Sequence, residues 1–368
     1  LLSKYSGWWG KVARPAFWRT NSGINFRLVC NPYMKISASV YSSKQDSLQE
    51  IIRDLDAHHA DLFHIDCNDN PAVFEDIARI RELSHTPIDL HIISPRPSRY
   101  FSDIAAQNVD YVTFQYENLE EKLDIPDSVT SRLGLAITSE TDISVFDQYS
   151  EKFDFILLMA TTPGKSGGEF NKQTFKKIRE FRQRYPNKRI HVDGGVNAEI
   201  SFILRNMGVY ASVSGSYLMA SESMGAAMLG LRKDEVASHF QVKDFMRSVD
   251  EIPVLKPGER SVASVLQSIE DHKLGFTILV DENGKLDGLI TNADVRKGML
   301  KHIDNLNDIS VEDMTNRDPV RANENFSVME LLQFIKQQSF PISYLPVVDD
   351  ANTVTGAVTF FNLIKGEL

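Results

Sequence analysis

Cysteine is nearly absent: the 368-residue chain holds two, Cys30 and Cys67. Two cysteines supply neither a disulfide framework nor a thiolate-rich metal centre, and the scarcity fits a reducing compartment. No apolar run approaches the roughly 18–20 residues that a membrane helix needs, so no membrane span is expected. No signal-peptide pattern opens the chain, and a cytoplasmic location is expected. A surplus of basic charge is missing as well. The formal net charge is −10, which disfavours nucleic acid, a partner that wants a basic face. Acid is lacking throughout residues 1–34, which carry five Lys/Arg and all three tryptophans, Trp8, Trp9 and Trp18. That segment, which begins without methionine, reads either as a remnant of a longer reading frame or of processing, or as a docking segment for a partner or a membrane surface.

What is present describes a globular protein: 42% apolar and 24% charged residues. The length exceeds what one core usually serves, so two domains are expected. From residue 35 short β-rich runs alternate with stretches of helical period. The strands read as KISASVY (35–41), DLFHID (61–66), PIDLHII (87–93), VDYVTFQ (109–115), LGLAIT (133–138), DFILLMA (154–160), RIHVD (189–193) and YASVSGS (210–216). In DSLQEIIRDLDAHH, Leu48, Ile51, Ile52 and Leu55 recur at helix spacing. Eight such units predict an α/β fold, a (β/α)₈ TIM barrel over residues 35–232. An open doubly wound sheet normally has a glycine-rich turn after its first strand, and SVYSSKQD has no glycine.

A small-residue helix over roughly 218–232 and a connector at 233–241 lead to a second region, 242–368. There VKDFMRSVDEIPVL is matched by VEDMTNRDPVRAN. Each is followed by a helical run and by two strands joined at a turn, DENGK in one copy and DDANT in the other. Two copies of one supersecondary unit are predicted.

Chemistry concentrates at the ends of the barrel strands. In LFHIDCNDN, His64 and Asp66 stand two apart and share a strand face. Strand three ends in Asp89-Leu90-His91 and strand seven in His191-Val192-Asp193. At the C-terminal mouth of a barrel, His64, Asp66, His91 and Asp193 would converge on one divalent metal: zinc, manganese or iron. His191 lies a layer deeper, where packing or a contact to a ligand suits it better. Glycine-rich stretches mark the usual phosphate face: TTPGKSGGEF (161–170), with Gly164, Lys165, Gly167 and Gly168; VDGGV, with Gly194 and Gly195; and SGS, with Gly215 and Ser216. Asp66 and Asp193, held beside one metal, suit the taking and returning of a proton.

Residues 35–219 resemble the ribulose-phosphate 3-epimerase family. The matching pieces are ISAS, FHID, DLHI, LLMATTPGKSGGEF, HVDGGV and SGS. The resemblance implies His64, Asp66, His91 and Asp193 as metal ligands and Ser39 as a substrate contact. It implies phosphate binding at Gly167, Gly168, Gly194, Gly195, Gly215 and Ser216, and ribulose 5-phosphate and xylulose 5-phosphate as the substrate pair. The D-x-K-x-x-D strand of related decarboxylating barrels is absent. Departures lie around the substrate: the loop after H-x-D, CNDNPAVFED, is shorter and lacks the family's methionine, the family methionine after D-x-H is Ile93, and PGKSGG has one residue more. Another ketose phosphate, such as allulose 6-phosphate, is therefore a rival substrate. Cys67 should point away from the mouth.

Residues 242–368 resemble a tandem pair of CBS domains, and VKDFMRSVDEIPV is similar to the pair attached to arabinose-5-phosphate isomerase. The resemblance implies an adenosine-type nucleotide or nucleotide sugar held by Thr291 and Asp294 in the first copy. In the second it implies a weaker site at Thr359, where Asn362 replaces the usual aspartate. A homo-oligomer is expected. A catalytically silent nucleotide sensor is the alternative from a different class.

Overall fold

The computed structural model describes residues 34–359 except 44–45, 165–166, 234–238 and 339–341. Expectations that concern residues 1–33, Lys165 and Asn362 lie outside the described residues.

Eight strands close into a barrel in chain order: β1 (Lys35–Ser39), β2 (Leu62–Cys67), β3 (Ile88–Ile92), β4 (Tyr111–Gln115), β5 (Arg132–Thr138), β6 (Phe155–Met159), β7 (Arg189–Asp193) and β8 (Ala211–Ser214). Every neighbouring pair is parallel, including β8 with β1. Around it run α1 (Leu48–Ala57), α2 (Val73–Leu83), α3 (Phe101–Ala106), α4 (Gln173–Arg184), α5 (Ala198–Asn206), α6 (Ser216–Met219) and α7 (Met224–Arg232). The loops after β4 and β5 carry only 3₁₀ turns, at Tyr116–Asn118 and Ile143–Tyr149.

Strand alternation sorts the side chains. In β2, Phe63, Ile65 and Cys67 face the helices and join the main core, whereas Leu62 packs inside the barrel with Tyr111, Phe155 and Ala211. Burial of each large apolar side chain contributes about 1.5–3 kcal/mol. The same alternation turns Ser37, Ser39, His64, Asp66, Asp89, His91, His191 and Asp193 inward. Cys67 is thus buried on the outer face.

Local signals set the helices. Ser47 caps α1: its hydroxyl accepts from Glu50 N at 3.3 Å, and Glu50 accepts from Ser47 N at 3.0 Å, an arrangement that contributes about 1 kcal/mol. The helix expected over 218–232 is two. Ser221 Oγ accepts from Ser223 N, and Ser223 Oγ accepts from Ala226 N, so the chain stops at α6 and is capped anew at α7.

The second region holds two copies of one unit, as the internal repeat predicts. It comprises α8 (Val242–Phe245), β9 (Arg247–Ser248), β10 (Val254–Leu255), α9 (Val262–His272), β11 (Phe276–Val280), β12 (Leu286–Thr291), α10 (Asn292–Lys301), β13 (Ala322–Asn323), α11 (Val328–Lys336), β14 (Tyr344–Val348) and β15 (Val354–Thr359). The sheets run β10-β11-β12 and β13-β14-β15-β9. The copies meet through equivalent residues: Phe276 and Tyr344 have ring centroids 5.0 Å apart, and the two hairpin turns bridge at Lys285 and Thr353. Among the described residues no helix is long and apolar enough to cross a membrane.

Candidate active site

Register decides which inward side chains meet. β2 and β3 pair His64 with Asp89 and Asp66 with His91. His91 Nδ1 lies 3.2 Å from Asp66 Oδ1, and His64 Nε2 lies 3.3 Å from that same oxygen and 3.7 Å from Asp193 Oδ2. One ligand-type atom from each of His64, Asp66, His91 and Asp193 falls within 4.8 Å of all the others. The structure brings all four together.

A second tier orients them. Asp89 accepts from Ser37 Oγ at 2.7 Å and stands 3.0 Å from His64 Nδ1. A carboxylate only accepts, so the His64 Nδ1–H donates to it and Nε2 is turned to the cluster. That buried Nε2 has no hydrogen-bond partner. Lone pairs gathered around Asp66 Oδ1 repel unless a proton or a cation sits among them, and two imidazoles with two carboxylates suit a divalent metal.

The field of the site acts on protons in the same sense. Burial disfavours a charged His64, but the Asp66 and Asp89 carboxylates outweigh it and raise its pKa well above 6.5. Burial alone would raise Asp66; the adjacent His64 and His91 hold it far below the usual carboxylate range. Asp193 goes the other way: burial, reinforced by Asp66 and Asp89, pushes it up to about 6. His191 is packing: it stacks 4.0 Å from Phe155 and 5.5 Å from Tyr210, and burial pushes its pKa down to about 4.

Above the cluster opens a cavity of about 230 Å³, lined by Ser39, Asp66, Asp193, Gly194, Gly195 and Ser216 among others. Gly164, Gly167 and Gly215 also line it; Gly168 and His91 do not. The glycine loops interlock. A Cβ on Gly194, where φ is +110°, would lie 2.2 Å from Thr161 Oγ1, and one on Gly195, where φ is +66°, would lie 2.7 Å from Phe170 N. Opposite them, Asn68 of the shortened loop reaches the β6–α4 loop, its Oδ1 2.3 Å from where a Gly164 Cβ would be.

Residues 35–219 match the family described as the Ribulose-phosphate 3 epimerase family. The chain belongs to that family. Its curated relatives are isomerase-class enzymes. A ribulose-phosphate 3-epimerase of Buchnera aphidicola subsp. Baizongia pistaciae is 28% identical over 202 residues, which are 50% of this chain and 89% of the relative. That of Bacillus subtilis is 25% identical over 216 residues, 54% of this chain and 98% of the relative. Each match covers about half of this chain and nearly all of the relative. Residues 242–301 and 311–367 match the CBS domain. A solved CBS domain pair in complex with 5-methylthioadenosine and S-adenosyl-L-methionine is 28% identical and covers 33% of this chain and 91% of its own, with a TM-score of 0.28.

The motifs shared with the epimerase family name the ligand-type residues but not their supports. The sequence reading gives no role to Asp89, to Tyr41 and Asn68, which line the cavity, or to Gln115 and Glu117, which stand behind His91. Asp89 had a signal, since it stands two before His91 and so faces inward with it. Gln115 had the same signal on β4, two residues after Thr113. In the CBS pair, Thr291 and Asp294 bond each other: the Thr291 hydroxyl donates to Asp294 Oδ2 at 2.6 Å and accepts from Asp294 N at 3.2 Å, which caps α10. Thr359 ends β15 opposite Tyr344, as Thr291 ends β12 opposite Phe276.

Proposed function

We propose that residues 35–232 form a metal-dependent 3-epimerase that interconverts D-ribulose 5-phosphate and D-xylulose 5-phosphate, and that residues 242–368 regulate it by sensing an adenosine-type nucleotide or nucleotide sugar. The observation that carries the reading is the convergence of Asp66 and Asp193 with His64 and His91 beneath a cavity walled by glycine loops. Gly194, Gly195, Gly215 and Ser216 hold the phosphate, joined by Gly164 and Gly167 of the β6–α4 loop, and Ser39 contacts the sugar. Asp66 and Asp193 remove the proton at C3 from one face and return it to the other; direction of reaction decides which is the base. His64, Asp66, His91 and Asp193 would hold a zinc, manganese or iron ion, whose charge stabilises the enediolate as it forms.

The regulatory half of the reading rests on where the CBS pair touches the barrel. Arg179 on α4 makes a bidentate pair with Glu251 at 2.9 and 2.8 Å and donates to Phe245 O at 3.0 Å. Lys172 pairs with Asp244 at 2.8 Å, and Glu199 on α5 accepts from Phe240 N at 2.8 Å. These helices follow the two glycine loops directly. Phe170 of the loop packs on Phe175, and Phe175 packs on Phe240.

Solvent deuterium wash-in at C3 of ribulose 5-phosphate tests the reading. The metal-loaded chain should exchange, and Asp66→Asn or Asp193→Asn with metal retained should slow exchange by about 10²–10⁴-fold. No exchange by the wild type would instead favour a silent sensor. Asn68 at the cavity and Ile93 beside Gly164 favour a comparison with allulose 6-phosphate, and a higher kcat/KM for it would move the substrate assignment.

A further inference from the structure

β4 ends on Gln115 and leads to Glu117, two residues that the proposed chemistry does not use. Gln115 faces into the barrel and is fully buried. Its Oε1 lies 2.8 Å from His91 Nε2, and its own Nε2 donates to Glu117 Oε2 at 2.5 Å.

The polarity of this chain runs one way only. The other partners of Glu117 are all donors: the Thr138 N–H at 2.8 Å, the Thr138 hydroxyl at 3.1 Å, and the Thr141 hydroxyl. A carboxylate so surrounded accepts from every side, so the Gln115 amide must turn its NH₂ to Glu117 and its oxygen to His91. An amide oxygen accepts only, which puts the His91 proton on Nε2. Nδ1 is left to Asp66, 3.2 Å away, and to the centre of the cluster, where a cation would take its lone pair. His64 is oriented by the mirror-image device, in which Asp89 takes Nδ1–H and turns Nε2 to the cluster.

We propose that Gln115 and Glu117 are positioning residues that lock His91 in its Nε2–H tautomer and thereby set the affinity of the cluster for its cation. This rests on the reading of the cluster as a metal site. Outer partners of metal-bound histidines fix ring orientation and tautomer, and their loss weakens binding.

Three variants of the full chain test it, with zinc ion as the probe. Gln115→Met keeps the volume and accepts nothing from His91. Glu117→Gln keeps the shape but lets the Gln115 amide reverse. The double change Gln115→Glu with Glu117→Gln restores the original polarity, since the carboxylate then accepts from His91 and the carboxamide donates to it. Chelator competition should show zinc affinity reduced about 10–100-fold in each single variant and recovered in the double variant. In the metal-free wild type, the ¹⁵N signals of His91 should show Nε2 protonated throughout, and in Glu117→Gln only in part. Zinc affinity within twofold of wild type in the single variants, with His91 Nε2 still fully protonated, overturns the proposal. Should Gln115→Met fail to fold, Glu117→Gln and the double variant decide the matter. A wild type that binds no zinc refutes the metal-site reading instead, and the tautomer measured without metal still tests the positioning claim.

Discussion

Gly194 shows how tightly a single position can be specified. Its φ of +110° is one that L side chains rarely adopt, and an added Cβ would come 2.2 Å from Thr161 Oγ1 and 2.7 Å from Thr161 N. Gly194→Ala should therefore cost about 1–3 kcal/mol of stability and push the β6–α4 loop off the phosphate, raising KM at least about tenfold, the equivalent of 1.4 kcal/mol. Gly167 offers the control: φ is +79°, but nothing lies within 4 Å of its Cβ position, so Gly167→Ala carries conformational strain of about 1–2 kcal/mol without the collision. Thermal unfolding of both variants separates the two effects, and equal losses of stability for the two would remove the argument from contact. The D-G-G motif made Gly194 legible in the sequence. Thr161, thirty-three positions earlier, became its neighbour only through pairing of β6 with β7.

At the scale of elements, α4 connects two jobs. Its first turn follows the glycine loop, and its outer face carries Arg179, which with Glu251 is only 12% exposed. Burial alone would raise the Glu251 carboxyl, but the Arg179 guanidinium outweighs it and holds it below its ordinary value of 4.5. A carboxylate depressed in the folded state contributes stability that is complete above its unfolded pKa and lost as pH falls through the folded one. The unfolding temperature of the wild type should thus fall more steeply than that of Glu251→Gln as pH drops from about 5 to 3. Parallel pH profiles would show that the pair does not hold the two regions together. None of this was legible beforehand: Arg179 reads as one of many polar positions on an amphipathic helix, and its partner lies seventy-two residues away.

For the whole molecule the question is whether two ligand sites share one equilibrium. Val328 and Leu332 of α11 join the main hydrophobic core of the barrel, so the second CBS copy and the barrel share packed side chains. AMP should raise the unfolding temperature of the full chain and alter the equilibrium affinity for a non-reacting sugar-phosphate analogue. By linkage the analogue must alter AMP affinity by the same factor, about 5–150-fold for typical couplings. Calorimetric titration of each ligand with and without the other measures both factors. Independent binding would leave the CBS pair without a regulatory role in the barrel.

The sequence by itself determined the barrel, the repeated second region and the four ligand-type residues. Those properties rest on local rules: side chains alternate along a strand, turns need particular residues, and repeats copy their own fold. His64 and Asp66 share a face wherever β2 lies. Only the tertiary structure decided what stands behind them. Asp89 beneath His64, Gln115 behind His91 and Glu251 on Arg179 depend on which strands become neighbours, in which register, and on how the second region docks. Such pairings join residues distant in the chain, and no local pattern records them.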